Sequence, residues 1–145
     1  MPIHPGMSPA PRILILDDDE GVRLTFAQAL IFEGYDVQVA GSAREALYSI
    51  SRKRPDAILV DLKMPLVNGV GFLYRLRSDP NNEKIAVGVI TGELAVDEAT
   101  ADDLSMLRAH VWHKPLSIEE VQGIARTLLT ATPPSQRLSS PTRFV

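Results

Sequence analysis

The chain has 145 residues, of which 45% are hydrophobic and 23% charged; this suits one globular domain and is too short for two ordinary ones. Its formal net charge of -3 disfavours DNA or RNA as the main partner, because binding to a phosphate backbone usually requires a basic excess. The absence of cysteine excludes disulfides and thiolate metal sites and is consistent with a reducing compartment.

Proline is concentrated at both ends of the chain. Because a residue before proline avoids helical angles, we expect irregular tails at 1–11 and 131–145 and an ordered domain at 12–130. The N-terminus lacks a continuous apolar stretch and is not expected to be a signal peptide, and no apolar run is long enough to span a membrane. We therefore expect a soluble cytoplasmic domain.

The first half of the domain predicts two strands and two helices. Residues 13–16 are a buried apolar run, and the helical pattern after it ends at Gly34, a residue common just beyond helices. Residues 36–40 are a second strand, and Ser42 with Glu45 makes a capping box that starts the next helix. The residues of these two helices that we expect to face the core are Val22, Phe26, Ala29, Leu30, Ala46, Leu47 and Ile50.

The second half predicts three further strand-helix units. An apolar run at 57–60 stops at Asp61, and a helix follows the turn around Gly69. Residues 85–90 are a fourth strand before Thr91, and 97–108 are a helix with an acidic start. Ser117 caps the last helix. Residues expected to face the core in the third and fifth helices are Leu73, Leu76, Ile118, Val121, Ile124 or Ala125, and Leu128.

The alternation of strands and helices predicts the fold class. Apolar runs without polar alternation are typical of parallel strands that are covered on both faces. Five strand-helix units with short connections therefore favour an α/β fold with right-handed crossovers and a doubly wound sheet.

Polar residues follow the strands where such folds bind ligands, at the carboxyl ends. Asp17 and Asp18 follow the first strand, Asp61 the third, Thr91 the fourth and Lys114 the fifth. Several neighbouring carboxylates repel one another, so we expect a hard divalent cation, most naturally Mg²⁺, to join them. A carboxylate beside that ion can attack a phosphoryl group, while a hydroxyl and an ammonium group neutralise its oxygens.

Each of these residues alone also has an ordinary structural explanation. The acidic run matches the dipole of a following helix, Asp61 is a common turn former, and a lysine such as Lys114 is usually solvated. Their occurrence together, each at a predicted strand end, favours a functional site. The three histidines do not form a metal set, because His4 lies in a tail and His110 and His113 point to opposite faces of a strand.

The segments ILILDDDEGVR, PDAILVDLKMPLVNGVGFL, VGVITG and HKPL resemble the receiver domain of bacterial two-component response regulators, the chemotaxis-receiver type. The resemblance covers essentially all of 12–130. It implies a flavodoxin-like, doubly wound (βα)5 fold with five parallel strands in the order 2-1-3-4-5 and helices on both faces. It also implies that the protein is not a turnover enzyme but catalyses only its own phosphorylation and dephosphorylation.

The resemblance also implies a metal site. Asp18 matches the direct Mg²⁺ ligand, Asp17 matches the ligand that acts largely through water, and Asp61 matches the phosphoacceptor that shares the ion. The backbone carbonyl of Lys63 is expected to complete the protein ligands. We further expect an ion pair between Lys63 and Glu93 beside the pocket.

Two further positions match the residues that respond to phosphorylation in the family. Thr91 matches the hydroxyl residue that turns towards the phosphoryl group, and Lys114 matches the lysine that pairs with a phosphoryl oxygen, before a Lys114–Pro115 bond expected to be cis. The family usually has an aromatic residue three positions before the lysine, where this chain has Val111. Either Trp112 takes that role through a shift in register, or the aromatic switch is absent and Trp112 is an amphipathic surface or interface residue.

The resemblance implies a sensor histidine kinase or a histidine phosphotransfer protein as the phosphoryl donor. It implies a downstream protein effector on the face made by helix 4, strand 5 and helix 5, with a homodimer as a further option and no direct contact with nucleic acid or membrane. Two other functions remain: a phosphohydrolase, disfavoured because Lys63 stands where its second aspartate would be, and a pseudo-receiver that binds without phosphorylation. A single-domain regulator is expected, although 131–145 would also suit a linker to an effector.

Overall fold

A computed structural model describes residues 9–62, 69–92 and 97–130 of the chain. Strands and helices alternate along them as expected, with a short 3-10 helix before the fourth strand. The strands are β1 (Arg12–Leu16), β2 (Asp36–Ala40), β3 (Ala57–Asp61), β4 (Ala86–Thr91) and β5 (Ala109–His113). The helices are α1 (Glu20–Phe32), α2 (Ala43–Arg52), α3 (Gly69–Arg77), α4 (Glu98–Met106) and α5 (Ile118–Thr130).

All five of these strands run parallel in one sheet, in the order β2-β1-β3-β4-β5. The predicted doubly wound, flavodoxin-like fold is therefore confirmed. After β2 the chain returns to the other side of β1, so the direction of winding reverses between β1 and β3. Such a switch point leaves a crevice at the carboxyl ends of the two strands, which is where ligands bind in this class of fold.

The sheet separates two hydrophobic cores, because side chains alternate between its faces along every strand. Leu14, Val60 and Val89 project to one face, where they pack with residues of α2, α3 and α4. Ile15 and Leu59 project to the other face and pack with residues of α1 and α5. Both faces of the central strands are thus covered, which explains why their apolar runs have no polar alternation.

The predicted helix boundaries rest on specific caps. Ser42 accepts a hydrogen bond from the backbone N–H of Glu45 at 3.2 Å, which confirms the capping box. Ser117 accepts from Glu120 N–H at 3.0 Å and starts α5 in the same way. Gly34 adopts a φ of 96°, a left-handed conformation that is open to glycine and strained for most other residues.

The prediction that Ile118 faces the core is wrong. Ile118 is 51% exposed, whereas Val121, Ile124, Ala125 and Leu128 are all buried as expected. Ile118 is the first residue of α5, and Leu116 before it packs against the core on that side of the sheet instead. Helical spacing alone did not reveal that the turn before α5 supplies the contact.

Among the described residues, no helix is long and apolar enough to cross a membrane.

The packing around Gly88 in β4 yields a test of the α5-side core. A Cβ atom at Gly88 would lie 3.0 Å from the Trp112 ring and 3.1 and 3.2 Å from methyl groups of Leu128 and Leu59. We expect Gly88→Ala to lower the free energy of unfolding by about 1 to 3 kcal/mol, because these neighbours are held in a packed interior. Urea denaturation measures the change.

Gly123→Ala is the matched control for this substitution. Gly123 lies within α5, where an added Cβ would meet nothing closer than 3.8 Å. Alanine is favoured over glycine in a helix, so this variant is expected to gain about 0.5 to 1 kcal/mol. Equal stability of the two variants would contradict the close packing at Gly88.

Candidate functional site

The loop after β1 places two aspartates at the crevice. Asp17 is buried, with 4% of its surface exposed, whereas Asp18 is exposed. The backbone N–H of Asp17 donates to Ala40 of β2 at 3.2 Å, and Asp17 Oδ1 accepts from the N–H of Asp19 at 2.9 Å. Asp19 in turn caps α1 by accepting from Val22 N–H at 3.0 Å. The acidic run therefore both starts a helix and lines the pocket.

Asp61 ends β3 beside this loop. The pairing of Leu16 with Val60 brings the next residues, Asp17 and Asp61, to the same level at the edge of the sheet. Asp61 is also buried, at 8% exposure. Gly69 lies against this strand end, where its N–H donates to Leu62 at 2.8 Å and an added Cβ would be 2.8 Å from the carbonyl oxygen of Asp61. Glycine at this position is therefore required for α3 to begin so close to the acceptor candidate.

Lys114 approaches the two buried aspartates from the loop after β5. Its Nζ lies 3.5 Å from Asp17 Oδ2 and 3.8 Å from Asp61 Oδ2. Its backbone N–H donates to the carbonyl of Thr91 at 2.8 Å, which ties the ends of β4 and β5 together. The peptide bond from Lys114 to Pro115 is cis, as expected. Thr91 ends β4 next to β3 and is fully buried.

The carboxylates form a group that suits a hard cation. One oxygen each of Asp17, Asp18 and Asp61 lies within 4.8 Å of the others. Two oxygens on opposite sides of a Mg²⁺ ion are about 4.2 Å apart, so a spacing of this order suits such an ion. An all-oxygen donor set also favours Mg²⁺ over zinc or copper. Lys114 offsets part of the negative charge. Because three carboxylates face one ammonium group, a negative charge remains that a divalent ion could neutralise.

The pairing of β4 and β5 tests the two explanations for Trp112. β4 and β5 pair so that Val111 stands opposite Val89 and Trp112 opposite Ile90. Val111 packs with the core on the side of α4, which is also the face of Thr91 by strand alternation. Trp112 is partly buried on the opposite face, against the α5-side core. The register does not bring Trp112 to the face of Thr91, so the shift that would let Trp112 take the aromatic role does not occur, and the ring packs against the α5-side core instead.

The sequence places five site residues after the strands of the sheet but gives little sign of two residues that support them. The turn pattern around Gly69 does not reveal how closely it approaches Asp61, and the acidic run does not itself reveal that Arg23 Nη1 donates to the carbonyl oxygen of Asp17 at 2.8 Å. A basic residue one helical turn beyond an acidic run was the available signal for Arg23. Lys63, whose backbone carbonyl is a predicted metal ligand, lies outside the described residues. Glu93, its predicted ion-pair partner, lies outside them as well.

This fold and this pocket define a class: a parallel α/β domain that gathers aspartates and a lysine at its topological switch point. The family model of the response regulator receiver domain matches residues 13–125. The chain therefore belongs to the receiver domain family of response regulators, the proteins of two-component signalling.

Curated relatives and solved structures agree with this assignment. The response regulator MprA of Mycobacterium sp. (strain KMS) is 35% identical over 130 residues, which make up 90% of this chain and 55% of that protein. The chain thus spans about half the length of such relatives. Chemotaxis response regulator CheY4 of Vibrio cholerae superposes with a TM-score of 0.75 at 25% identity, covering 83% of this chain and 99% of that one. The Francisella response regulator 1452 receiver domain has a TM-score of 0.71 at 28% identity, covering 82% and 96%.

The position of Lys114 between two buried carboxylates predicts a stability effect. Lys114→Met removes the ammonium group but keeps most of the side-chain volume. We expect the free energy of unfolding without Mg²⁺ to fall by about 1 to 3 kcal/mol, because Asp17 and Asp61 then repel each other without the ammonium group that lies close to both. Thermal and urea denaturation of both proteins measure this difference.

Lys84→Met is the matched control, since Lys84 is an exposed lysine before β4, at the opposite end of the sheet. A surface change of this kind is expected to stay within about 0.5 kcal/mol of wild type. A Lys114→Met protein as stable as the Lys84→Met protein would contradict the charge balance described for the pocket.

Proposed function

We propose that this receiver domain accepts a phosphoryl group on Asp61 in a Mg²⁺-dependent reaction and passes on the change as a conformational signal. The donor is a phosphohistidine of a sensor histidine kinase or of a histidine phosphotransfer protein. The protein acts on itself and is not a turnover enzyme. We assign the domain to residues 12–130 and its place of action to the cytoplasm.

The observation that carries the proposal is the arrangement of charges around Asp61. Its carboxylate lies at the carboxyl edge of the sheet, close to both Asp17 and Asp18 and 3.8 Å from the Lys114 ammonium. A nucleophile needs an approach for its substrate and donors for the charge that the substrate brings. The crevice between β1 and β3 supplies the approach, and Lys114 supplies one donor.

The transfer is balanced in bonds and protons. An oxygen of the Asp61 carboxylate attacks phosphorus, a new P–O bond forms, and the P–N bond of the phosphohistidine breaks. The imidazole leaves with the electron pair of that bond. It leaves as neutral histidine when its other ring nitrogen already carries a proton, and otherwise it takes one proton from solvent to become neutral. Asp61 becomes an acyl phosphate, and Lys114 stays within reach of one phosphoryl oxygen.

Asp17, Asp18 and Asp61 are the residues that would hold the ion, with the carbonyl of Lys63 as a further ligand. When bound, Mg²⁺ offsets the negative charge of the carboxylates and of the incoming phosphoryl oxygens. Lys114 contributes to the same balance from the other side. We assign Thr91, at the end of β4, to the hydroxyl that bonds the phosphoryl group after transfer.

The response is assigned to the face made by α4, β5 and α5. α4 is weakly attached, since Leu104 is its buried residue, whereas α5 buries four. Polar contacts hold it to α3: Tyr74 donates to Asp103 at 2.8 Å, and Arg77 donates to the carbonyl of Leu107 at 2.9 Å. Elements with few buried contacts shift most readily between two arrangements.

Because Val111 lies on the side of β5 that faces α4, the proposed response uses no aromatic residue at that position.

The partner on the face made by α4, β5 and α5 is a downstream protein effector, or a second copy of the chain, and not nucleic acid or membrane. The expectation of a single-domain regulator stays a prediction, because the relatives are about twice as long as the part they share with this chain.

Intact-mass measurement after incubation with acetyl phosphate and Mg²⁺ tests the proposal. Wild type is expected to gain the mass of one phosphoryl group, and omission of Mg²⁺ or addition of a chelator is expected to abolish the gain. Asp61→Asn removes the nucleophilic carboxylate with little change in shape, and it is expected to gain nothing.

Asp56→Asn is the matched control, because Asp56 lies just before β3, at the end opposite Asp61, where it accepts a hydrogen bond from Arg12 N–H at 2.7 Å. This variant is expected to be phosphorylated as wild type is. A gain that persists in Asp61→Asn, or that does not depend on Mg²⁺, would refute the assignment of Asp61.

A further inference from the structure

Arg23 links the loop that carries the acidic pair to α1. It lies in the first turns of the helix and is half-buried. Its Nη1 donates a hydrogen bond of 2.8 Å to the carbonyl oxygen of Asp17. That carbonyl belongs to the peptide group between Asp17 and Asp18, so the hydrogen bond fixes the plane from which the Asp18 side chain emerges.

Gly41 provides the space that this guanidinium group occupies. Gly41 lies between β2 and the cap of α2, next to Ala40, the residue that pairs with the Asp17 backbone. A Cβ atom at Gly41 would lie 2.9 Å from Nη1 of Arg23, 3.3 Å from its Cζ and 3.7 Å from its Nη2. The guanidinium group therefore packs flat against a position that only glycine leaves free.

We propose that Arg23 and Gly41 act together as a clamp that positions Asp17 and Asp18 for the divalent cation. Arg23 is a positioning residue, because it touches the backbone of the acidic pair and not the ion. The inference rests on the proposed function, since it concerns the ion that phosphoryl transfer on Asp61 requires. Partners that orient metal ligands commonly change metal affinity by about 10-fold or more when they are removed.

A competing effect has the opposite sign. The positive charge of Arg23 repels a cation in the pocket, so removing it would tighten Mg²⁺ binding if charge outweighed position. The direction of the change in affinity therefore separates the two effects. Arg23→Lys adds a second comparison, because it keeps the charge but lacks the planar group that spans Asp17 and Gly41.

The experiment measures the Mg²⁺ dissociation constant by calorimetry, without any phosphodonor, for wild type, Arg23→Met and Arg23→Lys. We expect a rise of about 10-fold in Arg23→Met. Arg23→Lys is expected to bind more weakly than wild type as well. Arg126→Met removes an arginine of α5 that pairs at 2.6 Å with Glu33, the residue after α1, and this variant is expected to bind Mg²⁺ as wild type does.

Gly41→Ala tests the same clamp without touching Arg23. It is expected to weaken Mg²⁺ binding in the same direction, because the new methyl group displaces the guanidinium group. In the Arg23→Met background, Gly41→Ala is expected to add nothing, since there is no guanidinium group left to displace. Gly123→Ala, where space is free, is the matched control and is expected to leave the affinity unchanged.

Melting temperatures without Mg²⁺ separate positioning from general stability. The clamp predicts that Mg²⁺ affinity falls in Arg23→Met and Gly41→Ala by more than their loss of stability explains. The control variants Arg126→Met and Gly123→Ala show how much a change in stability alone alters the affinity. Unchanged or tighter binding in Arg23→Met, or additive effects of the two substitutions, would overturn the inference. Wild type that fails to bind Mg²⁺ would instead refute the proposed function.

Discussion

The arrangement of this molecule depends on the meeting of like charges at one edge of its sheet. Asp17 and Asp61 are both buried at the carboxyl ends of neighbouring strands, and Asp18 lies beside them. Carboxylates at this distance repel one another, and burial increases the cost. Lys114, 3.5 and 3.8 Å from the two buried carboxylates, offsets part of it. The remaining negative charge suits a divalent cation.

The rest of the fold serves to hold these charges together. Parallel pairing sets Asp17 and Asp61 level, and the tie between Lys114 and Thr91 fixes the adjoining strand ends. Close approach is permitted where side chains are missing: Gly69 lets α3 start against the end of β3, and Gly88 leaves room for Trp112. Trp112 thereby belongs to the α5-side core, and the inner face of β5 near α4 carries Val111 instead of an aromatic residue.

Much of this was readable from the sequence, for reasons specific to the residues. An apolar run that stops at an aspartate marks the end of a buried strand, so Asp61 could be placed before any geometry was known. Serines with a glutamate three residues on marked helix starts. The exposure of Ile118 could not be predicted in this way, because it depends on whether Ile118 or the neighbouring Leu116 packs against the core. The same holds for the face of Trp112 and the contact between Arg23 and Gly41, which follow from strand register and from approaches between distant segments.

The central claim is that the phosphoryl group is carried by the carboxylate of Asp61. Borohydride reduction of the phosphorylated protein, followed by peptide mass spectrometry, locates it directly, because reduction converts an aspartyl phosphate to homoserine. The account predicts homoserine at position 61, formed only after treatment with phosphodonor and Mg²⁺. Homoserine at Asp17 or Asp18, or a phosphate that survives reduction on a hydroxyl side chain, would contradict it.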